Sequence, residues 1–229
     1  MRPIQTYKTN KNLKAETTMT DSNDNKIDNE QDKHKAKMKA RKAVMDKKIA
    51  ASTEERGVLI LMKGNGKGKS SSAFGTMVRS LGHGQKCAVI QFIKGRLETG
   101  EFKFFKDMAN TSEQLNWHVM GHGFTWETQD KEQDIKAAQQ AWVVAQEYLN
   151  NADYDLLVFD EMSYMFKYGY LEVAPVVEAL KNRPKNQNVI ITGRTMAHDL
   201  QEIADTISIV QDEKHAFRLG VKAQKGIEY

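Results

Sequence analysis

The sequence has one cysteine, three prolines and no long uninterrupted apolar stretch in its 229 residues. A single thiol, Cys87, excludes an internal disulfide and any zinc site built from several cysteines. A membrane-spanning helix needs about 18 consecutive apolar residues, so we expect no membrane segment. The scarcity of cysteine suits a reducing compartment, and we predict a cytoplasmic protein. Cys87 lies in the apolar run Cys-Ala-Val-Ile-Gln-Phe, which predicts a buried strand residue.

The larger part of the chain, residues 51–229, which we call the body, is not basic. Residues 1–50 carry 13 Lys+Arg against 7 Asp+Glu, a net charge of +6, whereas residues 51–229 carry 21 against 23, a net charge of −2. Nucleic-acid-binding domains usually present a strongly basic face. We therefore expect no nucleic-acid partner for the body. For the N-terminal residues, a solvated basic arm is favoured over a nucleic-acid-binding one.

The N-terminal part differs in composition from the rest of the chain. Residues 1–32 are rich in Asn, Asp, Lys and Thr, which predicts a disordered extension. Residues 33–55 turn to Ala, Lys, Met and Arg, a mixture that favours a helix as far as about Ala51. Apolar residues are sparse in this segment, so the helix would need a partner surface to be stable.

Residues 56–229 alternate short apolar runs with helical patterns. The predicted strands are Gly57–Met62, Lys86–Ile93, Leu115–Met120, Asp155–Phe159, Asn188–Thr192 and Thr206–Val210. The predicted helices are Ser70–Leu81, Phe102–Met108, Lys131–Leu149, Leu171–Leu180 and Ala197–Ala204. Such alternation predicts an α/β fold with a mostly parallel sheet of about six strands and helices on both faces.

A glycine- and lysine-rich turn separates the first strand from the first helix of this body. It reads Gly64-Asn65-Gly66-Lys67-Gly68-Lys69-Ser70. Glycines permit a tight turn whose N–H groups point inward, and the following helix N-terminus favours an anion. Lys69 is placed to reach phosphates and the Ser70 hydroxyl to bind Mg²⁺, which together predict a P-loop nucleotide-binding protein. The competing interpretation is a glycine turn with lysines present by chance.

The spacing of this turn departs from the usual phosphate loop. Gly64 and Gly68 enclose three residues where the common pattern has four, and Lys63 holds the position of the usual first glycine. We therefore expect the triphosphate to lie differently from its position in an ordinary ATPase.

Charged residues follow two other predicted strands. Asp160 and Glu161 come after Leu-Leu-Val-Phe, where carboxylates hold Mg²⁺ directly or through water, and either acid could be the direct ligand. Arg194 follows the strand that ends at Thr192. Ligands gather at the carboxyl ends of parallel strands, and arginine suits bidentate contact with phosphate. A phosphate contact is favoured over an ordinary surface arginine.

Two aromatic residues, Phe124 and Trp126, lie in the glycine-flanked segment Gly-His-Gly-Phe-Thr-Trp-Glu-Thr after a predicted strand. Aromatics in such a loop either cap a core or line a pocket for a large flat ligand. Composition leaves both interpretations open.

In combination, these motifs resemble the P-loop family of ATP:cob(I)alamin (corrinoid) adenosyltransferases, over about residues 38–229. The motifs that carry the resemblance are Gly64-Asn-Gly-Lys-Gly-Lys-Ser70, Gly82-His-Gly, Gln91-Phe-Ile-Lys-Gly95, Gly123-Phe-Thr-Trp126, Asp160-Glu161, Ile191-Thr-Gly-Arg194 and Lys214-His-Ala-Phe with Gly220-Val-Lys-Ala-Gln. The departures are Ser70 and Ser71 in place of a threonine pair, and Lys63 where threonine is common.

The resemblance implies an enzyme that transfers the 5′-deoxyadenosyl group of ATP to the cobalt(I) of a corrinoid and releases triphosphate. Because cobalt(I) is a strong nucleophile, no catalytic general base is expected. Residues 64–70 and Arg194 would bind ATP, and Mg²⁺ would be held by Ser70 with Asp160 or Glu161. Phe124 and Trp126 would pack against the corrinoid and displace its lower axial base, with the N-terminal helix folding over it. The family also implies a homodimer and a flavoprotein reductase as electron donor.

Two other functions are compatible with a phosphate loop. One is a nucleoside kinase-like phosphotransferase, but the thymidine kinase-like group of that fold typically carries a cysteine-rich zinc lasso that a single cysteine cannot supply. The other is a non-catalytic nucleotide-binding switch or a DNA-dependent ATPase, and the near-neutral body disfavours the DNA version. The reaction product separates these functions, since only adenosyl transfer releases triphosphate.

Overall fold

A computed structural model describes residues 21–93, 98–120 and 131–228, with side chains from residue 30 onward. The chain divides into two compact units, residues 1–54 and 55–229. Phe124 and Trp126 lie outside the described residues. Within the described ranges, no helix combines the length and the apolar character that a bilayer crossing requires.

The first unit contains one long helix, α1, which spans Asp21–Ala51. It begins upstream of the start expected near residue 33, so residues 21–32, which we expected to be disordered, are helical. Apolar side chains of α1 are exposed, namely Met38, Val44, Met45 and Ile49.

The second unit is built on a six-stranded sheet in the order β3-β2-β4-β5-β1-β6. Its strands are β1 (Leu59–Lys63), β2 (Cys87–Gln91), β3 (Leu115–Val119), β4 (Leu156–Asp160), β5 (Asn188–Gly193) and β6 (Thr206–Ile209). Every neighbouring pair is parallel. The predicted α/β fold is therefore confirmed, and each predicted strand end lies within two residues of the observed one.

Helices of the second unit follow the strands along the chain. They are α2 (Lys69–Gly82), α3 (Gly100–Thr111), α4 (Lys131–Leu149), α5 (Ser163–Lys167), α6 (Val173–Lys181) and α7 (His198–Ile203), with a 3₁₀ helix at Ala216–Leu219. The sequence predicted five of these helices. It missed α5 and the 3₁₀ helix, because a single turn is too short to show helical periodicity.

The core lies on both faces of the sheet, as expected for parallel strands. Alternate residues of β4 enter different clusters: Leu157 and Phe159 pack with Trp142 of α4, while Leu156 and Val158 pack with Phe74 of α2. This alternation follows from the two-residue repeat of a strand. Cys87 is fully buried, as predicted.

Strands β4, β5 and β1 are neighbours in the sheet and run in the same direction. Their carboxyl ends therefore lie side by side, with Asp160, Gly193 and Lys63 as the last strand residues. The phosphate loop, the acidic pair and Arg194 all follow directly from these ends. This edge of the sheet is where ligands of open α/β folds bind.

Candidate active site

The phosphate loop is attached by backbone hydrogen bonds to the segments that follow β5 and β6. The Gly64 N–H donates to the Arg194 carbonyl at 3.0 Å, and the Gly66 N–H donates to the Val210 carbonyl at 2.8 Å. In return, the Val210 N–H donates to the Lys63 carbonyl at 2.8 Å. The loop therefore takes its shape from two chain segments that lie more than 125 residues further along the sequence.

This loop requires glycine for two reasons: the chain turns tightly, and a side chain would clash with neighbouring backbone. A Cβ on Gly64 would lie 2.3 Å from the Val210 carbonyl oxygen, and one on Gly66 would lie 2.6 Å from the carbonyl of Gln211. Because the N–H groups of Gly64 and Gly66 bind backbone carbonyls, the expectation that both point at phosphate is corrected. The N–H groups of the first turn of α2 lack partners within a helix, and groups of this kind favour an anion.

Lys69, the first residue of α2, lies at the centre of the site. It is only 8% exposed, and its Nζ donates to the Gly66 carbonyl at 2.8 Å. Desolvation by burial lowers its pKa, while the nearby Glu161 carboxylate raises it and Arg194 lowers it. The structure thus brings together three of the predicted site residues, Lys69, Glu161 and Arg194.

Asp160 uses both of its carboxylate oxygens within the protein. The Thr192 hydroxyl donates to its Oδ1 at 2.7 Å, and the Gln91 side-chain amide donates to its Oδ2 at 3.1 Å. The Asp160 side chain is almost fully buried, at 4% exposure. It therefore lies in a network of protein donors.

Glu161 differs from Asp160 in having a buried carboxylate oxygen without a partner in the described part of the chain. Its N–H donates to the Thr192 hydroxyl oxygen at 2.9 Å, but its Oε2 is buried and has no hydrogen-bond partner among the described residues. Burial, and then the Asp160 charge, raise the pKa of the Glu161 carboxyl to about 7, against the opposite effects of Lys69 and Arg194. An unpartnered buried carboxylate oxygen beside a buried lysine is a binding group for a cation or a proton.

Apart from Lys69, the predicted ATP-binding side chains lie at the rim. Asn65, Lys67 and Arg194 are exposed, and Ser70 is half-buried in the first turn of α2. Lys67 forms an ion pair with Glu228, with Nζ and Oε2 2.5 Å apart. No sequence signal predicts this contact, because the two residues are 161 positions apart and Glu228 belongs to no motif.

Two candidate nucleophiles of the body, Cys87 and His118, are poorly suited to covalent catalysis. Cys87 is buried within β2, and desolvation raises the pKa of its thiol to about 11. The His118 ring, on edge strand β3, pairs with the Tyr148 hydroxyl at 2.7 Å, and burial lowers its pKa. Neither residue belongs to the cluster around Lys69.

Known proteins resemble this chain over nearly the whole body. A corrinoid adenosyltransferase of Pseudomonas aeruginosa is 49% identical over 197 residues, which are 86% of this chain and 96% of that protein. The corrinoid adenosyltransferase of Escherichia coli K12 is 44% identical over 82% of this chain and 93% of its own length. The corrinoid adenosyltransferase CobA of Salmonella typhimurium is 44% identical over 81% and 92%.

A family model gives the same result as these relatives. Residues 55–229 match the model described as ATP:corrinoid adenosyltransferase BtuR/CobO/CobP. The match begins where the second compact unit begins and includes the phosphate loop, the acidic pair and Arg194. The resemblance found from the motifs is thereby confirmed, and the chain belongs to the ATP:corrinoid adenosyltransferase family.

Proposed function

We propose that this protein transfers the 5′-deoxyadenosyl group of ATP to the cobalt(I) of a corrinoid, with the triphosphate of ATP bound by residues 64–70. The observation that carries the proposal is the buried Lys69 beside the unpartnered carboxylate oxygen of Glu161. Both lie at the carboxyl edge of the sheet, directly after β1 and β4. Lys69 would bind the polyphosphate, and Glu161 would bind the metal ion that accompanies it.

The chemistry requires positioning and charge neutralisation more than proton transfer. Cobalt(I) attacks C5′, the bond from C5′ to the phosphate oxygen breaks, and triphosphate leaves with the electron pair. The barrier falls when C5′ is held in line with cobalt and when the developing charge on the leaving group meets fixed cations.

Lys69 is the central triphosphate ligand in this proposal. Its Nζ exchanges the Gly66 carbonyl for phosphate oxygens, and burial strengthens the resulting ion pair. Lys67 and Arg194 are exposed at the rim and reach the outer phosphate oxygens, arginine in a bidentate manner. The N–H groups of the first turn of α2 and the side chain of Asn65 complete the set.

The residues present also fit a magnesium ion. Mg²⁺ prefers oxygen ligands, usually one or two from the protein and the rest from phosphate and water. Glu161 offers a buried oxygen without a protein partner, and Ser70 offers a hydroxyl in the next position after Lys69. When bound, the ion would neutralise charge on the triphosphate. We assign Glu161 as the direct ligand, because both oxygens of Asp160 already accept hydrogen bonds.

The corrinoid side of the site is assigned to Phe124 and Trp126. These residues lie outside the described residues, and their assignment rests on the motif Gly123–Trp126. The strand before them, β3, ends at Val119 on the same sheet edge as the phosphate loop. An aromatic wall there would exclude water and the lower axial base of the corrinoid, which eases reduction of cobalt(II) to cobalt(I).

Three broader features complete the proposal by family resemblance. The protein acts as a homodimer, a flavoprotein reductase supplies the electron for cobalt reduction, and the reaction takes place in the cytoplasm. The first is tested by the mass of the particle in solution, and the second by replacing the chemical reductant with a reduced flavoprotein.

One reaction tests the function directly. The full-length protein is incubated with ATP, Mg²⁺ and chemically reduced cobalamin, and the absorption spectrum is recorded before and after exposure to light. We expect a light-sensitive adenosylated corrinoid together with one triphosphate per product, measured by phosphorus NMR. Formation of ADP that depends on an acceptor would contradict adenosyl transfer and support a phosphotransferase.

A further inference from the structure

Glu161 adopts a backbone conformation that a residue with a side chain rarely adopts. Its φ of 57° makes it the one non-glycine residue with positive φ in the described part of the chain. Such a conformation is strained and persists only where neighbouring groups hold it. The group that holds it here is the Thr192 hydroxyl, which accepts the Glu161 N–H at 2.9 Å.

Thr192 connects this backbone to the Asp160 carboxylate. It is fully buried on β5, and its hydroxyl donates its single hydrogen to Asp160 Oδ1 at 2.7 Å while accepting from Glu161. The Thr192 hydroxyl thus donates to Asp160 and accepts from Glu161, which are consecutive residues of the neighbouring chain segment. A valine of the same shape could make neither bond.

The chain of hydrogen bonds continues across the sheet. Gln91 on β2 donates its amide N–H to Asp160 Oδ2 at 3.1 Å, and its amide oxygen accepts the indole N–H of Trp117 on β3 at 2.9 Å. Because indole nitrogen can only donate, it fixes which end of the Gln91 amide faces the aspartate. The four residues therefore link four adjacent strands, β3, β2, β4 and β5.

From this arrangement we infer that Thr192, Asp160 and Gln91 are positioning residues that hold the Glu161 carboxylate towards Lys69 and the proposed metal. The inference rests on the proposed function, since it names what the free carboxylate is held for. Its support is geometric. Gln91, Asp160 and Thr192 form a buried chain of hydrogen bonds that ends at the backbone N–H of Glu161, the residue with the strained backbone. Among these groups, Glu161 alone keeps a buried oxygen without a partner. Outer groups of this kind commonly change metal affinity about 10- to 100-fold when they are mutated.

The test uses Mn²⁺ in place of Mg²⁺ and measures its binding to the full-length protein with ATP by electron paramagnetic resonance. We expect Thr192→Val to weaken Mn²⁺ binding about 10-fold or more, and Thr192→Ser, which keeps the hydroxyl, to remain within about 3-fold of the wild type. Thr206→Val, an exposed threonine on β6, is the matched control and should leave Mn²⁺ affinity unchanged.

Each outcome decides the inference. If Thr192→Val lowers thermal stability but binds Mn²⁺ like the wild type, or if Thr192→Ser loses as much affinity as Thr192→Val, the positioning role is refuted. Should Thr192→Val not fold, Gln91→Met tests the same chain from its other side, and unchanged Mn²⁺ affinity there refutes it equally. A wild-type protein that binds Mn²⁺ but makes no adenosylated corrinoid would instead refute the proposed function alone.

Discussion

Replacing Glu161 by glutamine should make the protein without ligands more stable at alkaline pH. The carboxylate is buried beside Asp160 and has one oxygen without a protein partner, so its charge is a cost that the folded state carries. Glutamine has nearly the same shape and no charge. The Glu161→Gln variant therefore keeps the packing and removes the cost.

The size of the effect follows from the pKa. Folding raises the pKa of Glu161 from 4.5 to about 7, and each pKa unit corresponds to about 1.4 kcal/mol. Between these values the native protein keeps a proton that the unfolded chain has lost, so the native state binds more protons and its stability falls as pH rises. The stability lost by pH 8 is about 3 kcal/mol, and the glutamine variant does not lose it.

Urea unfolding followed by circular dichroism, in EDTA and without nucleotide, measures this effect at a series of pH values. The free energy of unfolding of Glu161→Gln minus that of the wild type should grow from near zero at pH 4 to about 3 kcal/mol at pH 8. The matched control is Glu178→Gln on α6, where the side chain is exposed, and its difference should stay within about 0.5 kcal/mol.

Added Mg²⁺ and ATP should reverse the ranking, because a ligand that binds only the native state stabilises it. The wild type should gain more stability than Glu161→Gln, which lacks the metal ligand. A glutamine variant that is less stable than the wild type at pH 8 without ligands, or a difference that does not change with pH, would refute the account of Glu161 as a buried, uncompensated charge.

Three further substitutions, and Gly75→Ala as a control, test separate parts of the protein. Lys69→Ala should abolish ATP binding measured by calorimetry, because it removes the buried cation; retained binding would show that the loop does not hold the triphosphate. Trp126→Ala should slow adenosylation that starts from cobalt(II) far more than it weakens ATP binding, and equal losses would mark the aromatic as structural. Gly66→Ala should cost about 1–3 kcal/mol of unfolding free energy, because its Cβ would meet the Gln211 carbonyl at 2.6 Å. Gly75→Ala in α2, where a Cβ meets nothing within 4 Å, should be neutral or stabilising by up to about 1 kcal/mol.

The strands and long helices could be predicted from the sequence because burial on two faces leaves continuous apolar runs. The helix α4 was placed at Lys131–Leu149 from its apolar stripe alone, and the structure has the same bounds. The one-turn helix α5 could not be found in this way. Helix α5 follows the turn at Glu161. Its Ser163 packs so closely against Gly193 that a Cβ on this glycine would lie 1.8 Å from the serine hydroxyl oxygen.

The site itself was predicted only in part. The motifs indicated the loop, both acids and Arg194, but they could not separate Asp160 from Glu161, since two adjacent carboxylates look alike in a sequence. What separates them is the position of Gln91 and Thr192, which lie 69 and 32 residues away along the chain and reach Asp160 through other strands. The same holds for the glycines of the loop, whose neighbours come from segments near residues 194 and 210.

The ion pair between Lys67 and Glu228 has a consequence for nucleotide affinity. Lys67, one of the proposed triphosphate ligands, is already paired with the Glu228 carboxylate. ATP can bind Lys67 only if it displaces the Glu228 carboxylate. This exchange reduces the net electrostatic gain from the contact between Lys67 and the triphosphate. Removing residues near the C-terminus would leave that lysine vacant, so a shortened chain should attract polyphosphates more strongly and with a steeper dependence on ionic strength.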